Sequence, residues 1–326
     1  MILQAAERSD AKNERSTAEH RSVRPVRWGV VLAGGDGVRL RSLTRVITGD
    51  DRPKQFCKLL GEETLLDQTL KRVGLGISPS RTLVVVTKNH ERFYAPALAK
   101  IPERSVVAQP KNRGTAPAIL YALLRMSSMA PNDPVAFFPS DHYVSDAAAF
   151  MAQVEAAFEA VAERPELIVL FGVSPHSDDP DYGWIEPGDP VVGGGAAPLF
   201  RVYRFWEKPA APLAMKLRAQ GCLWNSFVMV GCASTFLSLV GRAVPQLHDA
   251  LAPLRRPLAP PEESDTARAI YDQISPLDFS REVLAVCPEQ LAVLPVAGVK
   301  WTDLGVAERV LSAHREFEHP GRVLVA

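Results

Sequence analysis

Residues Trp28 to Leu32 form an apolar run that drops into Gly34-Gly35-Asp36-Gly37, and basic side chains follow at Arg39, Arg41, Arg45, Arg52 and Lys54. Glycines at such a turn let backbone N–H groups approach phosphate oxygens closely. A guanidinium adds paired contacts, and an ammonium adds a compact positive charge. This is equipment for a triphosphate whose charge must be spread during a reaction. The plainer alternative is a turn with solvated basic residues. Asp141 follows a second apolar run, at the kind of strand end where α/β folds bind ligands. A hard cation on a nucleotide favours one or two carboxylates plus phosphate oxygens. Asp303, from the far end of the chain, is a candidate second carboxylate. No Ser/His/Asp or Cys/His constellation is visible, so neither a protein nucleophile nor a general base is expected.

Two familiar phosphate motifs fail here. G-x-G-x-x-G beginning at Gly35 needs glycine at position 40, where Leu40 stands; beginning at Gly34 it fails at Asp36. The Walker A pattern fails because no G-K-[ST] is present. Residues 44–56 read as a long loop, where a dinucleotide-binding unit would place a helix and a second strand. A nicotinamide-dependent dehydrogenase is therefore excluded.

The elements that must carry these residues follow from hydrophobic patterning. Apolar runs at 28–34, 82–88, 134–141 and 167–173 read as buried strands. Helical patterns lie between them at 64–73, 90–100, 115–129 and 146–163, the last opening on an acidic cap. Such alternation implies an α/β layer with a mostly parallel sheet. After residue 180 the strands shorten and are broken by Gly and Pro, which suggests a second lobe over one end of the sheet. Residues 188–198 read as a hairpin loop. Helices return at 210–220, 233–243, 264–273 and 279–286.

The chain has 326 residues, with 37 basic and 37 acidic side chains and 47% hydrophobic residues. That suits one large or two smaller globular domains. The balanced charge indicates neither a nucleic-acid nor a membrane surface, and no apolar run approaches the ~18 residues of a membrane helix. The first residues meet charge too early for a signal peptide. Residues 1–25 read as a disordered tail. Four separated cysteines read as free thiols in a cytoplasmic protein.

The motifs taken together resemble the sugar-1-phosphate nucleotidyltransferase family, most closely its mannose-1-phosphate guanylyltransferases. "LAGGDGVRLRSLT…RPKQF" resembles G-G-x-G-T-R-L-x-P-L-T…P-K. "QPKNRGTAPAI" (109–119), "FFPSDHYV" (137–144), "YGWIEPG" (182–188), "FWEKP" (205–209), "LWNSFVMV" (223–230) and "VKWTDLG" (299–305) follow in the family's order. The resemblance covers residues 27 to about 310.

It implies a Rossmann-like three-layer nucleotidyltransferase fold, with a mixed, mostly parallel sheet and a smaller sugar-binding lobe. The catalytic domain would span 26–320, with the sugar lobe mainly at 180–300. The implied reaction joins GTP and a sugar 1-phosphate, mannose 1-phosphate by the closest resemblance, into GDP-mannose and pyrophosphate. Arg39, Lys54 and Lys208 would be catalytic. Leu32, Ala33, Gly34, Gly35, Gly37, Arg113, Thr115 and Ala116 would bind the nucleotide, with Thr115 also read as the N-cap of the following helix. Gly183, Glu186, Glu207 and Asn225 would bind the sugar, and Asp141 and Asp303 would hold Mg²⁺. No isomerase domain or long left-handed β-helix is expected after the catalytic domain, and a homodimer is left open.

Four positions depart from the family pattern. Val38 replaces a Thr, Gly114 an Asn and Phe227 a Gly, while Glu282 stands one step from an expected acidic position filled by Val283. These departures bear on base and sugar identity more than on reaction class. Two other readings remain: a related enzyme for another sugar phosphate or base, and a nucleotide-sugar-binding regulatory protein without turnover.

Overall fold

Short runs of Val, Leu and Phe build the first half of the sheet. β1 (Trp28–Leu32), β2 (Thr82–Thr87), β3 (Val106–Gln109) and β4 (Pro134–Pro139) pair in parallel in the order β3-β2-β1-β4. Every residue of β2 and β4 is buried. Both faces are covered, which is why these runs show no polar alternation. This computed structural model describes residues 26–318 apart from 194, 196, 197, 257 and 258. The tail expected over 1–25 and the expected domain end at 319–320 lie outside the described residues.

Beyond β4 the sheet changes character. β9 (Leu223–Cys232) runs antiparallel to both β4 and β6 (Ile168–Val173). β10 (Leu291–Val296) lies parallel to β6. β8 (Phe200–Glu207) and β7 (Gly183–Pro190) then follow with antiparallel pairings. β7 also pairs back onto β9 through Trp184–Trp224 and Ile185–Leu223, which curls this half into a barrel-like closure. Four ladders of the sheet are parallel and five are antiparallel. The sheet is mixed as expected, but it is not mostly parallel. Apolar runs reveal strands and not their direction, and the ten-residue β9 is long enough to run against β4, β6 and β7.

Consecutive residues supply opposite faces of the sheet. Val30 and Phe137 enter one core with Ile119, Leu123, Phe236 and Tyr271. Val31 and Phe138 enter the other with Phe150, Phe158, Phe171 and Trp184. The first core is covered by α4 (Thr115–Ser127), α7 (Ala233–Ala243), α8 (Pro245–Leu251) and α9 (Pro260–Gln273). The second is covered by α2 (Leu65–Gly74), α3 (Glu91–Leu98), α5 (Ala147–Glu163) and α6 (Ala211–Ala219). Helices therefore lie on both faces of one sheet.

Two local departures bear on the site. The expected loop at 44–56 contains a helix, α1 (Arg41–Thr48), closed by Gly49 in the left-handed region. α1 buries only Thr44 and leaves Val46 and Ile47 exposed, and the Gly, Asp and Pro that follow at 49–53 mask its short apolar stripe at 43, 46 and 47. The expected helix at 279–286 is a short π-helical turn at Ser280–Leu284. A separate two-stranded ribbon pairs β5 (Tyr143–Val144) with β11 (Trp301–Thr302), and α10 (Ala307–Glu318) follows it. The ribbon joins the chain after Asp141 to the chain before Asp303.

Phe236 is fully buried and meets Phe137 edge-on at 5.1 Å between ring centres, where α7 packs on the sheet. Phe236→Ala is expected to cost about 3–5 kcal/mol in urea unfolding. A loss below about 1 kcal/mol would contradict this packing.

Candidate active site

The glycine turn leaves β1 at its carboxyl end. Ala33 is the last tied residue, its N–H donating to the Val85 carbonyl at 2.7 Å. The N–H groups of Gly34, Gly35, Asp36 and Gly37 then donate to no group among the described residues. Unpaired main-chain donors in succession form an anion cradle. Gln55, 1% exposed, braces it: its amide donates to the Ala33 carbonyl at 3.0 Å and the Gly35 carbonyl at 2.7 Å. Asp36 is held from the side by Asn112 at 2.9 Å and lies 3.2 Å from His90 Nε2.

Two cavities meet at this turn. One, of about 310 Å³, is lined by Leu32, Gly34, Gly35, Gln109, Asn112, Gly114, Thr115, Phe227 and Asp278 among others. The second, of about 350 Å³, is lined by Gly37, Val38, Arg39, Leu40, Lys54, Asp303 and Gly305. Asp141 and His142 line both.

Lys54 is 8% exposed, and its ammonium reaches three acceptors. It donates to the Asp303 carbonyl at 2.6 Å and the Leu304 carbonyl at 3.1 Å, and it lies 3.4 Å from Asp141 Oδ2. An ammonium has three N–H donors, so all are directed at protein. Arg39 is different. Its half-exposed guanidinium sits at longer distances, 3.6 Å from Asp181 and 3.8 Å from Asp303 Oδ2.

Asp303 Oδ1 accepts from Arg309 at 2.6 Å, the Gly305 N–H at 2.9 Å and the Tyr182 hydroxyl at 3.2 Å. Burial alone would raise its pKa. The pull of the neighbouring His142, Arg309 and Lys54, with the Arg309 hydrogen bond, outweighs that and holds it below the ordinary value. Burial lowers His142 to about 4 against the opposing pull of Asp141, so its ring is neutral at pH 7. Its ring packs edge-on against Trp301 at 5.2 Å.

A further group of polar side chains is set by β7, β8 and β9. Gly183 faces Glu207 across the β7–β8 ladder, and a Cβ on it would meet Glu207 Oε2 at 3.0 Å and Asn225 Cβ at 3.3 Å. Glu207 is raised by burial, against the partial pull of Lys208, whose ammonium is 3.0 Å away. Asn225 is 7% exposed and accepts the Phe227 N–H at 3.0 Å. That fixes its amide and occupies one lone pair of its oxygen.

Three expected site residues are placed differently. Glu186 lies an odd number of residues from Gly183 on β7, so it projects from the opposite face, with Trp184, and does not join Glu207 and Asn225. Arg113 donates through Nε to the Tyr271 carbonyl at 2.9 Å, and Ala116 is fully buried with its N–H on the Leu277 carbonyl. Thr115 does line the nucleotide-side cavity. However, Gly114 is the N-cap of α4, and the Thr115 hydroxyl accepts the Phe279 N–H at 2.7 Å. The Leu277 chain passes so close that a Cβ on Gly114 would lie 2.3 Å from its carbonyl oxygen, at φ +86°. A side chain at 114 is excluded for that reason, and Asn112 presents the nearby amide instead. Sequence reasoning missed Gln55, Gln109, Asn112, Asp278, Tyr182 and Arg309. Of these, Gln55, Gln109, Asn112 and Tyr182 sit inside quoted motifs, and their amides and hydroxyl were the signal that could have found them.

Among the described residues no group of three or more His, Cys, Asp or Glu could hold a metal, and no helix is long and apolar enough to cross a membrane. The four cysteines are free, three of them buried.

A family model described as "Nucleotidyl transferase" matches residues 28–319. The chain belongs to the nucleotidyl transferase family. It is 35% identical over 224 residues to the xanthan biosynthesis protein XanB of Xanthomonas campestris pv. campestris, covering 68% of this chain and 45% of that one. It is 29% identical to a mannose-1-phosphate guanylyltransferase of Escherichia coli K12, covering 85% of this chain and 58% of that one. The chain thus spans about half the length of the curated relatives it matches. A solved structure from Thermus thermophilus, described as a mannose-1-phosphate geranyltransferase, aligns with a TM-score of 0.74 at 28% identity. The alignment covers 88% of this chain and 79% of that one.

Lys54→Met removes a buried ammonium and leaves three acceptors facing one another. Without ligand, unfolding by denaturant is expected to show a loss of roughly 3 kcal/mol. A change below about 0.5 kcal/mol would mean that the ammonium does not hold these segments together.

Proposed function

We propose that the protein transfers a guanylyl group from GTP to mannose 1-phosphate, releasing pyrophosphate and forming GDP-mannose. The observation that carries the reaction class is the pair of adjoining cavities. The unpaired N–H groups of Gly34–Gly37 border them, and Asp141 is common to both. The choice of mannose and GTP is supported by the activity named for the E. coli relative.

In this reading the whole described fold is one catalytic domain, and β7–β9 supply its sugar lobe. The triphosphate lies across the glycine turn. The base enters the cavity at Gln109, Asn112 and Thr115. Arg113 and Ala116 act by fixing that segment to 277–279. Glu207 and Asn225 receive the sugar hydroxyls beside Gly183, and Lys208 holds the sugar phosphate. Asp303 Oδ2 accepts no hydrogen bond among the described residues, and Asp141 lines the same cavity. Two carboxylates completed by phosphate oxygens suit Mg²⁺. When bound, the ion would lower the cost of negative charge on the triphosphate.

The attacking phosphate oxygen is already anionic at neutral pH, so the protein need not remove a proton. Its task is to bring two polyanions together and align them. Arg39, held only by long contacts, is free to exchange carboxylates for phosphate oxygens. Lys54 instead organises Asp141 and the 303–304 backbone.

Purified protein with Mg²⁺ should release pyrophosphate fastest with GTP and mannose 1-phosphate when four nucleoside triphosphates are crossed with several sugar 1-phosphates. Asp141→Ala and Arg39→Ala should lower turnover by about 100-fold or more. A peak at another pair would keep the mechanism and reassign the substrates. Phe227, which lines the cavity where the family pattern has glycine, is the first residue to examine then. No release with any pair, together with GDP-mannose binding, would favour the regulatory reading.

A further inference from the structure

Arg309 stands on the first turn of α10, and its side chain is 15% exposed. One nitrogen of its fork donates to Asp303 Oδ1 at 2.6 Å, and the other is paired with Asp179. Its guanidinium carbon lies 4.3 Å from the centre of the Tyr182 ring, whose hydroxyl donates to the same Oδ1 at 3.2 Å. The Gly305 N–H is a third donor to that oxygen. Oδ2 is left facing the cavity, with Arg39 at 3.8 Å. Behind it there is little room: a Cβ on Gly305 would lie 2.5 Å from Oδ2 and 3.1 Å from Arg309 Nη1.

We propose that Arg309 is a positioning residue that locks the Asp303 carboxylate so that Oδ2 alone is presented as a cation ligand. The proposal rests on the reading above, in which Asp303 holds Mg²⁺. A carboxylate free to rotate could offer both oxygens or turn toward Arg39. With Oδ1 saturated by three donors, only one oxygen and one direction remain. Asp179 completes the device. It occupies the second half of the guanidinium fork, so Arg309 is neutralised from two sides and does not leave to bind phosphate. The Tyr182 ring fixes the plane of the fork. Lysine cannot reproduce this, since a single ammonium cannot bridge both carboxylates in a plane while stacking on the ring. Groups that orient metal-binding carboxylates typically change metal affinity by about 10–100-fold when removed.

The test is Mn²⁺ binding, followed by electron paramagnetic resonance, to the protein saturated with a non-hydrolysable GTP analogue. It is run beside a Mg²⁺ titration of pyrophosphate release. Arg309→Met should weaken Mn²⁺ about tenfold or more and raise the Mg²⁺ needed for half-maximal turnover in parallel. The KM for the sugar phosphate should stay within about twofold. Arg309→Lys should rescue little. Asp179→Asn gives a milder shift in the same direction and stands in if Arg309→Met does not fold. Unchanged Mn²⁺ affinity in folded Arg309→Met or Asp179→Asn protein, with lower thermal stability alone, overturns the positioning role. Asp303→Asn separates the two readings. If it weakens Mn²⁺ and Arg309→Met does not, only the positioning role fails. If Asp303→Asn also leaves Mn²⁺ unchanged, Asp303 is not a cation ligand, and both the ligand role and the positioning role are overturned.

Discussion

The buried ammonium of Lys54 is the interaction on which the site depends. It joins three segments far apart in sequence: the turn at residues 53–56, the end of β4 at Asp141, and the Asp303–Leu304 backbone. A charge so far removed from water is tolerated only when its donors are met. Here one carboxylate and two carbonyls meet them. Its neighbour Gln55 points the other way and braces the glycine turn through two carbonyls. Two adjacent residues thus hold the anion cradle and the carboxylate pair in a fixed relation.

Backbone strain collects at the same place. The described residues outside glycine with positive φ are Lys208, Phe227 and Leu304, at 50°, 62° and 50°. Each such residue costs on the order of 1–3 kcal/mol and persists only where its surroundings hold it. Leu304 turns its carbonyl to Lys54 just after Asp303. Lys208 follows Glu207 at the end of β8, with its N–H on the Tyr182 carbonyl. Phe227 caps the turn that orients Asn225. In each case the chain bends sharply beside a polar side chain of the proposed site, so the strain and the proposed chemistry have a common location.

The change of strand direction at β9 divides one sheet into two halves, one for each of the two ligands proposed. The parallel half ends in the glycine turn and Asp141, with helices packed on both faces. The antiparallel half curls through the β7–β9 pairing and brings Gly183, Glu207 and Asn225 onto one inner wall. The closure also accounts for the tight contacts at Gly183. There the two ladders approach so closely that a methyl group would touch Glu207.

Much of this was determined by the amino-acid sequence itself. The buried runs of β1, β2, β4 and β6 and the helices at 65–74, 115–127 and 147–163 follow from short-range patterning, because burial on one or two faces sets the residue types directly. The glycine turn, Arg39, Lys54, Asp141, Glu207 and Asp303 were legible as motifs: Asp141, Glu207 and Asp303 as carboxylates at or just past strand ends, and Arg39 and Lys54 as basic residues that follow the glycine turn. Tertiary structure alone decided the rest. Strand direction, the β7–β9 closure and the β5–β11 ribbon depend on partners far apart in the chain. The same is true of the rejection of Glu186 from the wall, and of the Leu277 chain that makes Gly114 necessary. Arg309 shows the limit most clearly. Nothing in "GVAERVL" distinguishes it from a solvated helix residue until Asp179, Tyr182 and Asp303 are folded around its guanidinium.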